Sequence, residues 1–325
     1  MQFSIIIPVY NRPEEVEELL QSLVNQTDNR FEVIIVEDGS TVKCDHVCKK
    51  YSEWLDIKYF YKENSGPGSS RNFGTKQAVG NYFLILDSDC IVPENYIKSI
   101  RAELTANPCD AFGGADAAHK SFSDMQKAVN YAMTSFVTTG GIRGGKKETL
   151  EKFHPRSFNM GIKADVYRAL DGFSNMRYGE DIDFSIRIFE AGYSVSLFHD
   201  AFVFHKRRTN LRKFYQQVFH SGEARIVLWK KHPNSLKFVH LLPSFFVIGT
   251  ILLLITGFFK PVIWWLIAFF CLVIFIDSSL KNKNFKIGFL SIITSFAQLF
   301  GYGLGFLKGI FVDSMKVKIN GKSKR

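Results

Sequence analysis

The chain has 325 residues, 46% of them hydrophobic and 22% charged, and carries a net charge of +10. That length fits one domain of some 230 residues followed by a membrane region. The positive balance favours anionic partners, but no nucleic-acid module is present and the cations cluster beside apolar segments, so nucleic acid is not an expected partner. The five cysteines are scattered and odd in number. Cys44 and Cys48 bracket His46 without a second ligand pair, which argues against a zinc site and leaves reduced thiols.

Phe3 to Ile7, rich in β-branched residues, reads as a central strand ended by Pro8. A helix follows, with Val16, Leu19, Leu20 and Leu23 three and four apart. Phe31 to Val36 is a second buried strand, running into Glu37-Asp38-Gly39-Ser40. Asn64-Ser65-Gly66-Pro67-Gly68-Ser69-Ser70-Arg71-Asn72 precedes a helical stretch to Val79 and a third strand, Tyr82 to Leu86. Strand, helix, strand, helix, strand is the pattern of a doubly wound α/β sheet. Asp87-Ser88-Asp89 then leaves the third strand at the carboxyl edge, where such sheets bind ligands. Two carboxylates one residue apart make a hard oxygen site, and a divalent cation held there keeps positions open for phosphates.

Further on, Ala111 to Asp116 reads as a strand. Thr138 to Lys147 holds four glycines and three cations and is either a mobile lid or a solvated linker. Gly172-Phe173 and Gly179-Glu180-Asp181-Ile182-Asp183 lead into a helix from Ile182 to Phe189. His205 follows Asp181 by 24 residues, after strand-like Tyr193 to Phe198 and the apolar Ala201 to Phe204. His199, His220, His232 and His240 have no supporting pattern.

Taken together, Pro8-Val9-Tyr10-Asn11, Glu37-Asp38-Gly39-Ser40, Gly66 to Asn72, Asp87-Ser88-Asp89 and the Gly172 to Arg187 segment resemble, in order and approximate spacing, the family 2 glycosyltransferases. The resemblance covers roughly residues 1 to 230. It implies a GT-A fold, α/β with a nucleotide-binding mixed sheet flanked by helices, and an inverting mechanism using a nucleotide-diphosphate sugar donor. It implies Asp181 as general base beside Glu180, and Asp38 as acceptor for a uracil imide N–H, with Pro8 and Tyr10 near the base. Tyr10 reads equally as a strand-end core residue. Asp89, supported by Asp87, is expected to ligate Mn²⁺ or Mg²⁺, with His205 as a further ligand, since an imidazole suits manganese in a mixed site. Arg71 is expected at the phosphates. Asn159 and Asp183 are candidates for acceptor contacts. The Gln-x-x-Arg-Trp motif of the processive synthases is absent. The segment around Gln216-Gln217-Val218-Phe219-His220 does not match it, so a non-processive enzyme of cell-surface polysaccharide assembly is expected. A polyprenyl-phosphate sugar synthase and a non-catalytic nucleotide-sugar-binding scaffold are the alternatives.

After about residue 236 the composition changes, dividing residues 1–236, the expected catalytic domain, from a membrane region at 237–325. Leu241 to Phe259 and Val262 to Ile276 carry no charge, and Ile287 to Leu307 supplies another apolar run. Crossing ~30 Å of hydrocarbon takes about 20 helical residues, so 238–259 and 262–280 are expected to span. The segment 287–312 is a third span or an interfacial helix: Ser291, Ser295, Gln298 and Tyr302 form a polar stripe along it. Lys281, Lys283 and Lys286, and the tail lysines with Arg325, favour an even number of crossings if both groups are cytoplasmic. A multi-pass protein of the cell membrane is expected, with its catalytic part cytosolic, no signal peptide, and a lipid-linked or saccharide acceptor.

Overall fold

The computed structural model describes residues 1–117, 122–139 and 153–322, with side chains to 311. Most of the glycine-rich stretch (140–147) and the tail side chains of Lys316, Lys318, Lys322, Lys324 and Arg325 lie outside the described residues. By contact the chain divides into two compact units, Met1–His119 with Glu151–Lys206, and Lys120–Leu150 with Arg207–Arg325.

The first unit is built on one eight-stranded mixed sheet. Its strands are β1 (Phe3–Val9), β2 (Phe31–Asp38), β3 (Ile57–Lys62), β4 (Tyr82–Leu86), β5 (Cys90–Ile91), β6 (Ala111–Ala117), β7 (Asn159–Lys163) and β8 (Val195–His205), in the order β3-β2-β1-β4-β7-β6-β8-β5. The first four are parallel; the sequence pattern predicts β1, β2 and β4 among them but not β3. β7 is antiparallel to both β4 and β6, and β8 returns parallel to β6. Helices α1 (Pro13–Val24), α2 (Asp45–Tyr51), α3 (Pro67–Gln77), α4 (Tyr96–Ala106), α7 (Ala164–Ala169) and α8 (Glu180–Glu190) flank it; α5 (Asp124–Thr134) and α6 (Phe136–Thr139) belong to the second unit.

Central strands covered on both faces need apolar residues at every position, which explains the unbroken runs. In β1, Phe3, Ile5, Ile7 and Val9 join one core with Leu19, Leu20 and Leu23 of α1, while Ile6 joins Ile34, Val36 and Phe83 on the other face. Pro8 lies inside β1 rather than ending it. It pairs with Val36 on one side, while β4 pairs only as far as Ile6, so the ladder tolerates its missing N–H. α3 comes unusually close to the sheet: a Cβ on Gly74 would lie 2.8 Å from Ile6 Cγ2 and 3.1 Å from Val36 Cγ2. A helical glycine costs about 1 kcal/mol, and here it brings the Gly66–Arg71 segment down onto the strand ends.

The second unit is helical. α9 (Leu211–Lys231), α10 (Leu242–Phe259), α11 (Trp264–Asn282) and α12 (Phe285–Lys322) pack together with α5. Three segments, Leu242–Phe259, Pro261–Asn282 and Phe285–Phe311, are long and apolar enough to cross a membrane. The third differs in character: 44% of its most apolar window is buried in the protein, against 22% and 17% for the other two. Its polar stripe explains this. Ser291 bonds Ser278 of α11 at 2.7 Å, and Thr294 donates to the Ala128 carbonyl of α5 at 2.9 Å. Gly301 and Gly305 let its backbone reach α9: a Cβ on Gly305 would lie 2.0 Å from the Phe219 carbonyl oxygen. Small residues at four-residue spacing permit such close crossings.

Candidate active site

Four strand ends meet around the predicted carboxylates. Beyond β1, Asn11 turns left-handed (φ +53°), and its side-chain oxygen accepts the Thr41 and Val42 N–H groups at 2.8 and 3.0 Å. This ties the end of β1 to the loop after β2. Asp38, at the end of β2, is 4% exposed and accepts from Lys62 and from the Ser65 and Gly66 N–H groups, both at 2.9 Å. Burial would raise this carboxyl, yet Lys62 and the Ser65 N–H outweigh it and hold it below the ordinary range. Asp38 thereby sets the loop that opens α3. Tyr10 is 52% exposed beside this edge and Pro8 is half-buried.

Asp89, Cys90 and His205 form the one group of potential metal ligands found among the described residues, with ligand atoms within 4.8 Å of one another. Two-residue β5 creates it by pairing Cys90 with His205 at the end of β8. His205 Nε2 lies 3.2 Å from Asp89 Oδ1, and the imidazole stacks on Phe158 with centroids 4.8 Å apart. Arg12 holds the other Asp89 oxygen. Burial opposes ionisation of Asp89, but His205 and Arg12 more than offset it, so it stays a carboxylate far below its usual range. Burial pushes the Cys90 thiol up, so it stays protonated and is a poor ligand for a hard cation. One carboxylate and one imidazole nitrogen remain, a donor set that fits Mn²⁺. His205 Nδ1 is buried without a hydrogen-bond partner among the described residues.

The second focus is the start of α8. Gly179, left-handed at φ +79°, delivers the chain into Glu180 and Asp181. Arg71 is 2% exposed, and its fork joins Asp87 (Nη2–Oδ1, 2.6 Å) to Glu180 (Nη1–Oε1, 3.0 Å). Each of its terminal nitrogens, expected at phosphates, donates one hydrogen bond to a carboxylate here. Asp181 accepts from Arg156 Nε at 2.6 Å and from its own helix through the Ile182 N–H at 2.9 Å. The adjacent acids are driven apart. Burial raises Glu180 despite Arg71, whereas for Asp181 burial is overcome by Arg156 and then Arg71, and its carboxyl is held low. Neighbouring carboxylates with opposed proton affinities are a common feature of acid–base sites.

Two candidates for acceptor contact lie deep. Asn159 is fully buried, receiving the Tyr96 hydroxyl at 2.7 Å and donating to the Ala201 carbonyl at 2.8 Å. Asp183 is fully buried and pairs with Arg187 at 3.0 Å, and that guanidinium also donates to the Leu170 and Gly172 carbonyls at 2.6 Å. Both positions brace the sheet and the Gly172 turn. Arg12 and Arg156 were missed from sequence. Arg12 adjoins the Pro8–Asn11 motif, a signal that was available; Arg156, in a loop before β7, carries none.

A parallel sheet edge set with carboxylates, extended by antiparallel β7 and a helix-borne acidic pair, defines a protein of the GT-A fold. The model of one family, Glycosyl transferase family 2, matches residues 4–171, and the chain belongs to that family. It is 25% identical over 263 residues to glycosyltransferase AglE of Haloferax volcanii, covering 76% of this chain and 80% of that one. Among solved structures, the mannosyltransferase PcManGT from Pyrobaculum calidifontis, in complex with GDP-Man and Mn²⁺, aligns with TM-score 0.65 at 14% identity, over 95% of this chain and 87% of that one. S. aureus TarS 1–349 in complex with UDP-GlcNAc aligns with TM-score 0.51 at 22% identity, covering 70% and 67%. The chain spans only 14–16% of the length of several uncharacterized Rickettsia glycosyltransferases that it also matches.

Proposed function

We propose that this chain is an inverting, metal-dependent, non-processive glycosyltransferase. It moves a sugar from a nucleotide-diphosphate donor, a UDP-sugar, to a lipid-linked or saccharide acceptor in cell-surface polysaccharide assembly. The observation that carries the reading is one connected set of contacts: Arg71 joins Asp87, two residues from the Asp89–His205 pair, to Glu180, whose neighbour is the ionised Asp181. Asp89 and His205, with Asp87 beside them, would hold Mn²⁺ or Mg²⁺, which when bound supplies positive charge against the diphosphate leaving group. Asp181 takes the acceptor hydroxyl proton as that oxygen bonds the anomeric carbon and the bond to the β-phosphate breaks on the opposite face. Arg156 keeps Asp181 ionised and aimed. Asp38 and Tyr10 would meet the nucleobase, a reading supported by their place on the rim beside the α3 loop. The three apolar helices would anchor residues 237–325 in the cell membrane, with the catalytic residues 1–236 on the cytosolic side.

The test is binding of UDP by the full chain in detergent. Titration calorimetry should give binding with Mn²⁺ and at least tenfold weaker binding in excess chelator; Asp89→Ala should lose that difference, and His205→Ala should reduce it less. Equal binding with and without chelator would remove the metal from the assignment.

A further inference from the structure

We propose that Arg12 and the divalent cation compete for Asp89, and that the donor's diphosphate ends the competition by drawing the Arg12 fork to itself. The inference rests on the metal and donor reading above. Both carboxylate oxygens of Asp89 are engaged by side chains: His205 Nε2 lies 3.2 Å from Oδ1, and Arg12 Nη1 donates to Oδ2. A cation held by Asp89 and His205 would share that carboxylate with a guanidinium. Like charges about 4 Å apart repel strongly at a partly wetted site.

The backbone before Arg12 is clamped while its side chain is not. Asn11, left-handed, donates its N–H to Ser40 Oγ at 2.8 Å, and its side chain takes the Thr41 and Val42 N–H groups. Arg12 then opens α1 at the N-cap position without a side-chain capping bond. Its side chain is 30% exposed, and neither Nε nor Nη2 has a hydrogen-bond partner among the described residues. Arg71, by contrast, is 3% exposed and bridges Asp87 to Glu180. Arg12 is therefore the one of the two whose guanidinium can change partners without breaking into the buried cluster.

Its place suits a diphosphate. Tyr10, two residues upstream, is exposed on the rim assigned to the nucleobase, and the tip of Arg12 rests on the carboxylate assigned to the metal. The diphosphate of a nucleotide lies between its base and its metal, so it would pass along this side chain. Its oxygens offer the planar fork two acceptors at once. Turned to the diphosphate, the guanidinium leaves Oδ2 to the cation; with no diphosphate present, the tethered arginine holds it. Cation and donor then bind together, each raising the affinity for the other. An arginine that only braced the fold would weaken both ligands when removed, whereas this competition moves the two affinities in opposite directions.

The experiment uses the full chain in detergent. Mn²⁺ alone is titrated by the loss of the free ion's spin-resonance signal, and UDP is titrated calorimetrically at saturating Mn²⁺. Arg12→Gln should bind Mn²⁺ alone about tenfold tighter than the parent, because the repelling charge is gone. It should bind UDP about tenfold more weakly, the loss expected for a charge-assisted hydrogen bond. Arg12→Lys keeps the charge and should stay within about threefold of the parent for Mn²⁺. Arg12→Met, neutral and of similar reach, carries the test if Arg12→Gln does not fold. The proposal is overturned if the neutral variants bind Mn²⁺ alone no tighter than the parent, if they bind UDP as the parent does, or if Arg12→Lys matches Arg12→Gln. A parent that binds no Mn²⁺ even with UDP would overturn the metal reading as well. A parent whose UDP binding depends on Mn²⁺, beside an Arg12→Gln variant of unaltered Mn²⁺ affinity, would overturn this inference alone.

Discussion

Replacing Arg71 by methionine removes the cation that neutralises two carboxylates while keeping much of the side-chain volume. Both partners are close, 2.6 Å for Asp87 and 3.0 Å for Glu180, and the arginine side chain is 3% exposed. Taking one member from a buried charge cluster costs roughly 3–5 kcal/mol, because the remaining charges stay desolvated without compensation. Asp87, 29% exposed, is partly rescued by water, so the burden falls on Glu180 at 10%. For a unit of this size about 1 kcal/mol shifts the melting temperature by ~2–4 °C, so the variant should melt roughly 6–20 °C lower near pH 8. Glu180 is already raised by burial, and losing Arg71 raises it further. The folded variant then binds a proton more readily than the unfolded chain, so its stability falls as pH rises. The deficit should therefore be smaller at pH 5.5 than at pH 8. Thermal melts by circular dichroism of the full chain in detergent, at both pH values, measure this. A shift under 2 °C, or a deficit that grows on acidification, would refute the view that Arg71 is the keystone of this acidic cluster.

Asp181→Asn should leave UDP affinity within a few-fold of the parent yet lower transfer by ~10²-fold or more, because the amide cannot take a proton; equal rates would remove Asp181 as base. Gly305→Leu should force α12 off α9 and destabilise the second unit by more than the ~1–3 kcal/mol usual for overpacking, since the obstacle is backbone. Gly249→Leu on α10, with nothing within 4 Å, is the matched control and should melt like the parent. Glu32 is 2% exposed and accepts from Lys58, the Ser4 hydroxyl and the Val79 N–H. Burial would raise it, but these partners hold it below its ordinary 4.5. Its stabilisation is complete above pH 4.5 and is lost as pH falls through the lowered value, so Glu32→Gln should flatten melting temperature against pH below 4.5. An unchanged slope there would contradict the assignment.

The sequence made the buried parallel strands plain, because Ile5-Ile6-Ile7 and Val33 to Val36 fill both faces of a sheet in runs far shorter than those of the apolar helices. β3, with Lys58 and Lys62 on a half-exposed edge, shows no such pattern. β5 is two residues long and exists only because β8 lies against it. β8 itself reads as two pieces because exposed His199 and Asp200 interrupt its apolar face. At the site, the grouping of Asp89 with His205 could be read from motif order and spacing. Arg156 could not, since it meets Asp181 through tertiary folding alone, 25 residues apart. Asn159 was a candidate through its place in the family's acceptor-side strand ahead of Gly172-Phe173; its burial against Tyr96 and Ala201 is a tertiary feature that the sequence does not display.

The order of the chain through the two units has a practical consequence for anyone recombining this protein. Residues 120–150 leave the sheet unit for the helical one, and 151–206 return before the chain departs again at 207. No single cut therefore yields both units intact, and removing everything after Lys237 strips α9 and α5 of α12, baring Phe214, Val218, Val129 and Met133. A chimera that exchanges only the C-terminal third would inherit an α12 shaped for a foreign α5. Transplanting the helical unit requires carrying two separate stretches of sequence together, and variation between relatives in 120–150 should track variation in α12 more closely than variation in the sheet on either side of it.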